Sequence, residues 1–125
     1  MMEQTLHERV GGTAFFVDLV ERFYAGIESV PAIRPLYPDD LGPGKRALAL
    51  FLAQYWGGPT TYSDEKGHPR LRMRHFPFTI GPAERDRWLH HMSAAVAASS
   101  AGPTERGELL AYFEMAATAM INAEG

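Results

Sequence analysis

Apolar side chains recur every three or four residues along most of this chain, and glycine and proline breaks cut the pattern into segments. The first long segment carries seven of them, at Phe15, Phe16, Leu19, Val20, Phe23, Tyr24 and Ile27. This spacing predicts an amphipathic helix over residues 13–27, with Thr13 as its N-cap. A shorter stretch, residues 5–10, precedes it, and the intervening Gly11-Gly12 pair predicts a sharp corner.

Three further helices follow from the same spacing. Pro43 is typical of a first helical turn and predicts a helix over residues 43–56, which the pair Gly57-Gly58 ends. Its apolar side comprises Leu48, Phe51, Leu52, Tyr55 and Trp56. Two more helices are predicted over residues 82–99 and 104–122, the second with Thr104 as its cap.

The remaining segments lack this periodicity. Prolines limit residues 31–37 to a helical turn or two, and the polar residues 59–70 predict a loop. Because no stretch alternates apolar and polar side chains as a strand does, we predict an all-α fold. The 125 residues match the usual size of one domain, spanning residues 1–125.

Composition excludes several kinds of chemistry. The chain has no cysteine, which removes disulfides, thiolate metal sites and cysteine nucleophiles. Its 12 Lys and Arg against 15 Asp and Glu give a net charge of −3, which argues against a nucleic-acid partner. No apolar run approaches the roughly 20 residues of a membrane span, and residues 1–10 lack the pattern of a signal peptide. We therefore expect a cytoplasmic protein with no membrane partner.

The five histidines include one in an unusual context. No pair has the helical spacing typical of a zinc site, and neither a Ser-His-Asp order nor a glycine-rich phosphate loop is present. His75 follows Arg72 and Arg74 and precedes Phe76-Pro77-Phe78. From the residues alone, His75 either binds a free carbonyl at a helix end or is an axial ligand of a haem iron. In the second case Arg72 or Arg74 would meet a propionate.

Several motifs in order along the whole chain carry a family resemblance. They are Gly11-Gly12, Leu36-Tyr37-Pro38, Tyr55-Trp56-Gly57-Gly58-Pro59, Gly67-His68-Pro69-Arg70-Leu71-Arg72-Met73-Arg74-His75-Phe76-Pro77-Phe78 and Arg85-Asp86-Arg87-Trp88-Leu89. With these motifs the sequence closely resembles the truncated haemoglobins, specifically their group II (O-type) branch. The resemblance implies a two-over-two helical sandwich in which helix 13–27 pairs with 43–56, and helix 82–99 with 104–122.

The resemblance also implies a haem site. It makes His75 the proximal iron ligand, and without cysteine the haem would be b-type. Arg72 and Arg74 would meet the propionates. We further expect an apolar haem wall that includes Leu48, Phe51, Leu52, Phe78 and Trp88.

The distal side implied by the resemblance is unusual. Gly44 falls where many globins carry a distal histidine, and Leu48 lies one turn further along the same helix face. Neither residue can donate a hydrogen bond from its side chain. Tyr24, Tyr37 and Trp88 match the polar aromatic residues of the group II distal site. From spacing alone, Tyr24 and Trp88 fit ordinary core positions better than a site, and Tyr37 fits packing in a turn, so only the resemblance makes them site residues.

Two functions remain open at this point, besides a helical scaffold without haem. One is reversible binding of dioxygen and other diatomic ligands. The other is an enzyme that detoxifies nitric oxide or peroxide, as a nitric oxide dioxygenase or with peroxidase-like activity. An enzyme of this kind needs electrons from a separate reductase, since 125 residues leave no room for a flavin or nicotinamide domain. The sequence is compatible with a monomer or a homodimer.

Overall fold

The computed structural model describes residues 4–31, 34–69 and 80–122, and within these ranges the regular structure is entirely helical. Helix α1 spans Leu6–Arg9 and α2 spans Thr13–Glu28. A 3₁₀ turn at Arg34–Leu36 leads to α3, Gly42–Tyr55, and α4, Thr61–Lys66. Helices α5, Pro82–Ala98, and α6, Pro103–Ala119, complete the described chain. The all-α prediction is confirmed.

Two pairings organise the helices. Helix α2 packs on α3, and α5 packs on α6, as the family resemblance implied. Helix α2 also crosses α5, so it links the two pairs. The residues that follow α6 return to the start of α5, where Ile80 and Asn122 exchange hydrogen bonds of 2.8 Å.

The periodicity predicted the buried faces well. All seven apolar positions of the first long segment are buried in α2, and Phe16 and Leu19 are fully inaccessible. They meet Leu52 of α3, Met92 of α5 and Phe113 of α6 in one core. The exception is Tyr55, which the pattern assigned to the apolar side of α3 but which is 48% exposed.

Three local predictions are wrong. Thr13 is the first residue of α2 and not its N-cap, because Gly12 holds that position and the Thr13 hydroxyl pairs with His7 Nε2 at 2.9 Å. Thr104 lies inside α6, which begins at Pro103 after Gly102. Residues 59–70 are not all loop, because they include α4. That helix is only six residues long and buries one side chain, Tyr62, so it leaves no periodic pattern.

Two glycine pairs shape the corners. Gly11 and Gly12 have positive φ angles of 103° and 88°, which confirms the sharp turn predicted between α1 and α2. At the end of α3, Gly57 has φ 102°, and a side chain on Gly58 would lie 2.7 Å from the carbonyl oxygen of Ala53. The second pair therefore allows α1 to pack closely against the end of α3.

Candidate functional site

Three side chains that combine an aromatic ring with a polar atom are connected by ring contacts between α2, the 3₁₀ turn and α5. The ring centroids of Tyr24 and Tyr37 are 5.9 Å apart in an edge-on arrangement. Phe23 contacts both Tyr24 and Trp88, each with its centroid at 5.3 Å. The structure thus connects the three predicted polar aromatic residues of the distal site through Phe23, and we call these four residues the aromatic cluster.

Tyr37 is the one member of the cluster that no long helix carries, and an arginine fixes its backbone. The Arg34 guanidinium donates hydrogen bonds to the carbonyl oxygens of Tyr37, Pro38 and Asp39, at 3.3, 2.9 and 3.0 Å. Three bonds from one side chain close this irregular segment into a defined turn. Arg34 therefore holds Tyr37 beside Tyr24.

The polar atoms of the cluster are notable for their lack of partners. Within the described ranges, neither the hydroxyls of Tyr24 and Tyr37 nor the indole N–H of Trp88 makes a hydrogen bond, although Tyr24 is only 7% exposed. These three atoms still reach solvent, because the fully buried side-chain polar atoms without a partner in the described chain are Trp56 Nε1 and Arg106 Nε. The cluster therefore presents three donors that remain available to another molecule.

Burial keeps the phenols protonated. It raises the pKa of Tyr24, and it raises the pKa of Tyr37 to about 12, with neighbouring Tyr24 acting in the same direction. At neutral pH both side chains are uncharged O–H groups that can donate or accept, whereas the Trp88 indole can only donate. A ligand that carries partial negative charge would suit this set.

Gly44 lies directly beside the Tyr24 hydroxyl. A Cβ atom at Gly44 would be 3.0 Å from Tyr24 Oη and 3.9 Å from Tyr24 Cζ. Gly44 is itself exposed and has no side chain that could cover the hydroxyl. Leu48, one turn further on, is half-buried against the core.

The other predicted wall residues have different surroundings. The Phe51 ring contacts the rings of Tyr62 and Tyr55, at 5.5 and 6.2 Å, and not the aromatic cluster. Leu52 is 1% exposed and belongs to the core. Their assignment to a cofactor wall stays a prediction.

Four predicted site residues, His75, Arg72, Arg74 and Phe78, lie outside the described residues. In the part of the chain that the structure covers, no three His, Asp or Glu side chains are grouped closely enough to hold a metal ion. None of the helices found there has the length and apolar character needed to cross a membrane.

Sequence reasoning missed two features around the site. Phe23 bridges Tyr24 and Trp88, a contact between helices that no spacing along the chain predicts. Lys45 reaches from α3 to Glu21 on α2, at 3.1 Å. The sequence contains one indirect indication of this ion pair: Glu21 precedes Tyr24 by three residues and therefore lies on the same face of α2.

Comparison with known proteins gives a consistent family assignment. The family model of bacterial-like globins matches residues 5–122. The group 2 truncated haemoglobin YjbI of Bacillus subtilis is 38% identical over 111 residues, which cover 89% of this chain and 84% of the relative. The solved haemoglobin of Chloroflexus aurantiacus is 52% identical with a TM-score of 0.93, and the match covers 97% of this chain and all of that one. The truncated oxygen-avid haemoglobin of Bacillus subtilis is 36% identical with a TM-score of 0.88, over 95% of this chain and all of that one. On these matches and the helical pairing described above, the chain belongs to the bacterial-like globins and, among them, to the group II truncated haemoglobins, a family of haem-binding proteins.

Proposed function

We propose that this protein reversibly binds dioxygen, and other diatomic ligands, at a haem whose proximal ligand is His75. Tyr24, Tyr37 and Trp88 would donate hydrogen bonds to the bound ligand. The observation that carries this proposal is the aromatic cluster, whose three polar atoms have no hydrogen-bond partner in the described chain. A relative of known structure is described as oxygen-avid, which agrees with such a set of donors.

The residues present fit a haem. Ligand sites in proteins are mostly apolar and aromatic, with a few polar groups aimed at the ligand, and the aromatic cluster has this character. Haem supplies the iron to which a diatomic ligand binds. His75 would hold that iron through one nitrogen of a neutral imidazole, and the N–H of its other ring nitrogen would donate a hydrogen bond to a backbone carbonyl. Arg72 and Arg74 would meet the propionates.

The wall of the haem site would be built from side chains of three segments. On the distal side these are Leu48, Phe51 and Leu52 of α3 and Trp88 of α5, and on the proximal side Phe78. Of these, Trp88 is the one that also belongs to the aromatic cluster. Leu48 would limit the space beside a bound ligand without bonding to it.

The donor set favours one kind of ligand. Bound dioxygen carries partial negative charge, so protonated Tyr24 and Tyr37 and the Trp88 indole would stabilise it and slow its release. Carbon monoxide carries less charge and gains less from the same donors. Each such hydrogen bond contributes on the order of 1 kcal/mol.

Access to the site would run past Gly44. A residue without a side chain neither blocks the ligand nor bonds it, and this one is exposed. Dioxygen would therefore enter beside the Tyr24 hydroxyl.

Finer features of the proposal rest on composition. The haem would be b-type, since without cysteine the chain can neither attach haem covalently nor supply a thiolate ligand. We expect one globin domain over residues 1–125, a cytoplasmic location, and a monomer or homodimer. If the protein turns over nitric oxide or peroxide, an external reductase would supply the electrons.

The decisive experiment is the optical spectrum of the purified protein after addition of haem, with and without dioxygen. We expect a Soret band that shifts reversibly with dioxygen. His75→Ala should weaken haem retention or alter the ferrous spectrum, whereas His90→Ala, at an exposed position of α5, should leave both unchanged. Equal spectra for the two variants would refute the ligand assignment, and the absence of a Soret band would refute the whole proposal.

A further inference from the structure

Lys45, the residue after Gly44, ties the start of α3 to α2. Its Nζ atom is 3.1 Å from Glu21 Oε2 and 3.9 Å from Glu28 Oε1. The lysine side chain is only 25% exposed, whereas the two glutamates are 57% and 49% exposed. Lysine side chains commonly bury their methylene stem on apolar surface and keep the ammonium group at the edge, which is the arrangement found here.

The two glutamates flank Tyr24 on its own helix. Glu21 precedes Tyr24 by three residues and Glu28 follows it by four, so all three share one face of α2. The Lys45 ammonium lies 6.0 Å from the centroid of the Tyr24 ring, over its face. Lys45, Glu21 and Glu28 therefore close over Tyr24 from outside, and we call these three residues the lysine clasp.

The lysine clasp lies beside the Tyr24 hydroxyl, which no hydrogen bond in the described chain holds in place. That hydroxyl makes no hydrogen bond within the described ranges, and a Cβ atom at Gly44 of α3 would lie 3.0 Å from it. The distance between Gly44 and the hydroxyl depends on how closely the first turn of α3 lies against α2. Lys45, one residue further along, makes the ionic contacts that keep this turn of α3 close to α2.

From this geometry we infer that the lysine clasp positions the Tyr24 hydroxyl for the ligand and narrows the opening beside Gly44. The inference rests on the proposed function. Lys45 is thus a positioning residue that acts through Tyr24. Ion pairs at such exposed carboxylates are weak and are screened by salt, over about 10 Å at 0.1 M and about 3 Å at 1 M. Both the release of dioxygen and access to the site should therefore depend on ionic strength.

The test uses the haem-loaded protein and a matched control on the same helix. Lys45→Met keeps the apolar stem and removes the charge. Arg46→Met removes the neighbouring cation, which instead pairs with Glu65 of α4 at 2.6 Å. We expect dioxygen to dissociate from Lys45→Met about fivefold faster, which is the change that the loss of one ordinary hydrogen bond produces. The dissociation rate of carbon monoxide should change little. Arg46→Met should behave as the wild type.

Three further measurements test whether the lysine clasp acts through the Tyr24 hydroxyl. In a Tyr24→Phe background, Lys45→Met should cause no additional acceleration, because the hydroxyl it positions is gone. Raising the salt concentration to about 1 M should accelerate release from the wild type but not from Lys45→Met. Amide hydrogen exchange at residues 44–46, which does not depend on ligand binding, should quicken in Lys45→Met only.

The outcomes distinguish this inference from the function on which it rests. If the wild type binds dioxygen but Lys45→Met matches Arg46→Met in release rate and hydrogen exchange, the clasp has no such role. The same holds if Lys45→Met accelerates release equally in the Tyr24→Phe background. If the wild type takes up no haem, the proposed function fails, whereas faster exchange in Lys45→Met still supports a clasp between α2 and α3.

Discussion

Replacing Gly44 with alanine probes the distal geometry directly. The new Cβ atom would lie 3.0 Å from Tyr24 Oη, a contact that obliges the neighbour to move by a few tenths of an ångström. The Tyr24 ring has little room to tilt, because the rings of Phe23 and Tyr37 pack against it with centroids at 5.3 and 5.9 Å. The displacement therefore falls on the hydroxyl and on any hydrogen bond that it donates.

The size of the effect follows from the value of that bond. A hydrogen bond contributes about 0.5–1.5 kcal/mol net, and about 1.4 kcal/mol corresponds to a factor of ten. Partial to complete loss therefore predicts dioxygen release roughly twofold to tenfold faster in Gly44→Ala. Stability is a poorer measure, since alanine is favoured over glycine in a helix by up to about 1 kcal/mol and so offsets the cost of the contact.

Stopped-flow measurement of dioxygen dissociation from the reduced protein gives the rate. The control is Gly44→Ala in a Tyr24→Phe background, where the nearest ring atom is Cζ at 3.9 Å, an ordinary contact. There the alanine should leave the rate unchanged. Equal acceleration in both backgrounds, or none in the wild type, would contradict the placement of the hydroxyl beside Gly44.

Three further predictions concern stability. Gly58→Ala should lower the free energy of unfolding in denaturant titrations by about 1–3 kcal/mol, because its Cβ would meet the Ala53 carbonyl oxygen at 2.7 Å. Gly107→Ala on α6, where a new Cβ would meet no atom within 4 Å apart from the adjacent helix backbone, should be neutral or stabilising, and a similar loss in both variants would refute the steric cause. Burial raises the pKa of Tyr37 and of Tyr112 to about 12, with a neighbouring tyrosine adding to each, so the unfolded chain loses these protons first. Stability should then fall from about pH 10 to 12, and three of the five tyrosines should titrate late by absorbance, since burial also raises the pKa of Tyr24. Burial lowers the pKa of His91, and the neighbouring His90 acts in the same direction. As the pH falls, the unfolded state therefore binds this proton first, and stability should decrease below about pH 6.5. His91→Gln should reduce this pH dependence in thermal melts.

The long helices were predictable because burial on one face imposes a period that the sequence records. Every apolar position assigned to α2, from Phe15 to Ile27, is buried. Local patterns failed where contacts between distant parts of the chain determine the structure. Thr13 looks like a cap, but its hydroxyl pairs with His7 across the corner. Helix α4 has a single buried residue, Tyr62, and six residues are too few to show a period.

The site was less predictable from pattern than the fold. Tyr24 lies on the apolar stripe of α2, so periodicity alone makes it a core residue, and only the family resemblance singled it out. The structure adds that its hydroxyl lacks a partner in the described chain, a property that no spacing reveals. The lysine clasp was invisible for a related reason. Lys45 and Glu21 are 24 residues apart and on different helices, so their ion pair does not show as a local charge pair in the sequence.

The junction between α1 and the end of α3 constrains the order in which the chain can fold. Helix α1 has four residues, too few to be helical alone in water. Thr5 and His7 fit against Gly57 and Gly58, and the His7 N–H donates to the Trp56 carbonyl at 3.1 Å. Residues 5–9 are synthesised before α2 and α3, yet their docking surface exists only after α3 and its closing turn have formed. We therefore expect this early segment to be among the last to acquire its native contacts.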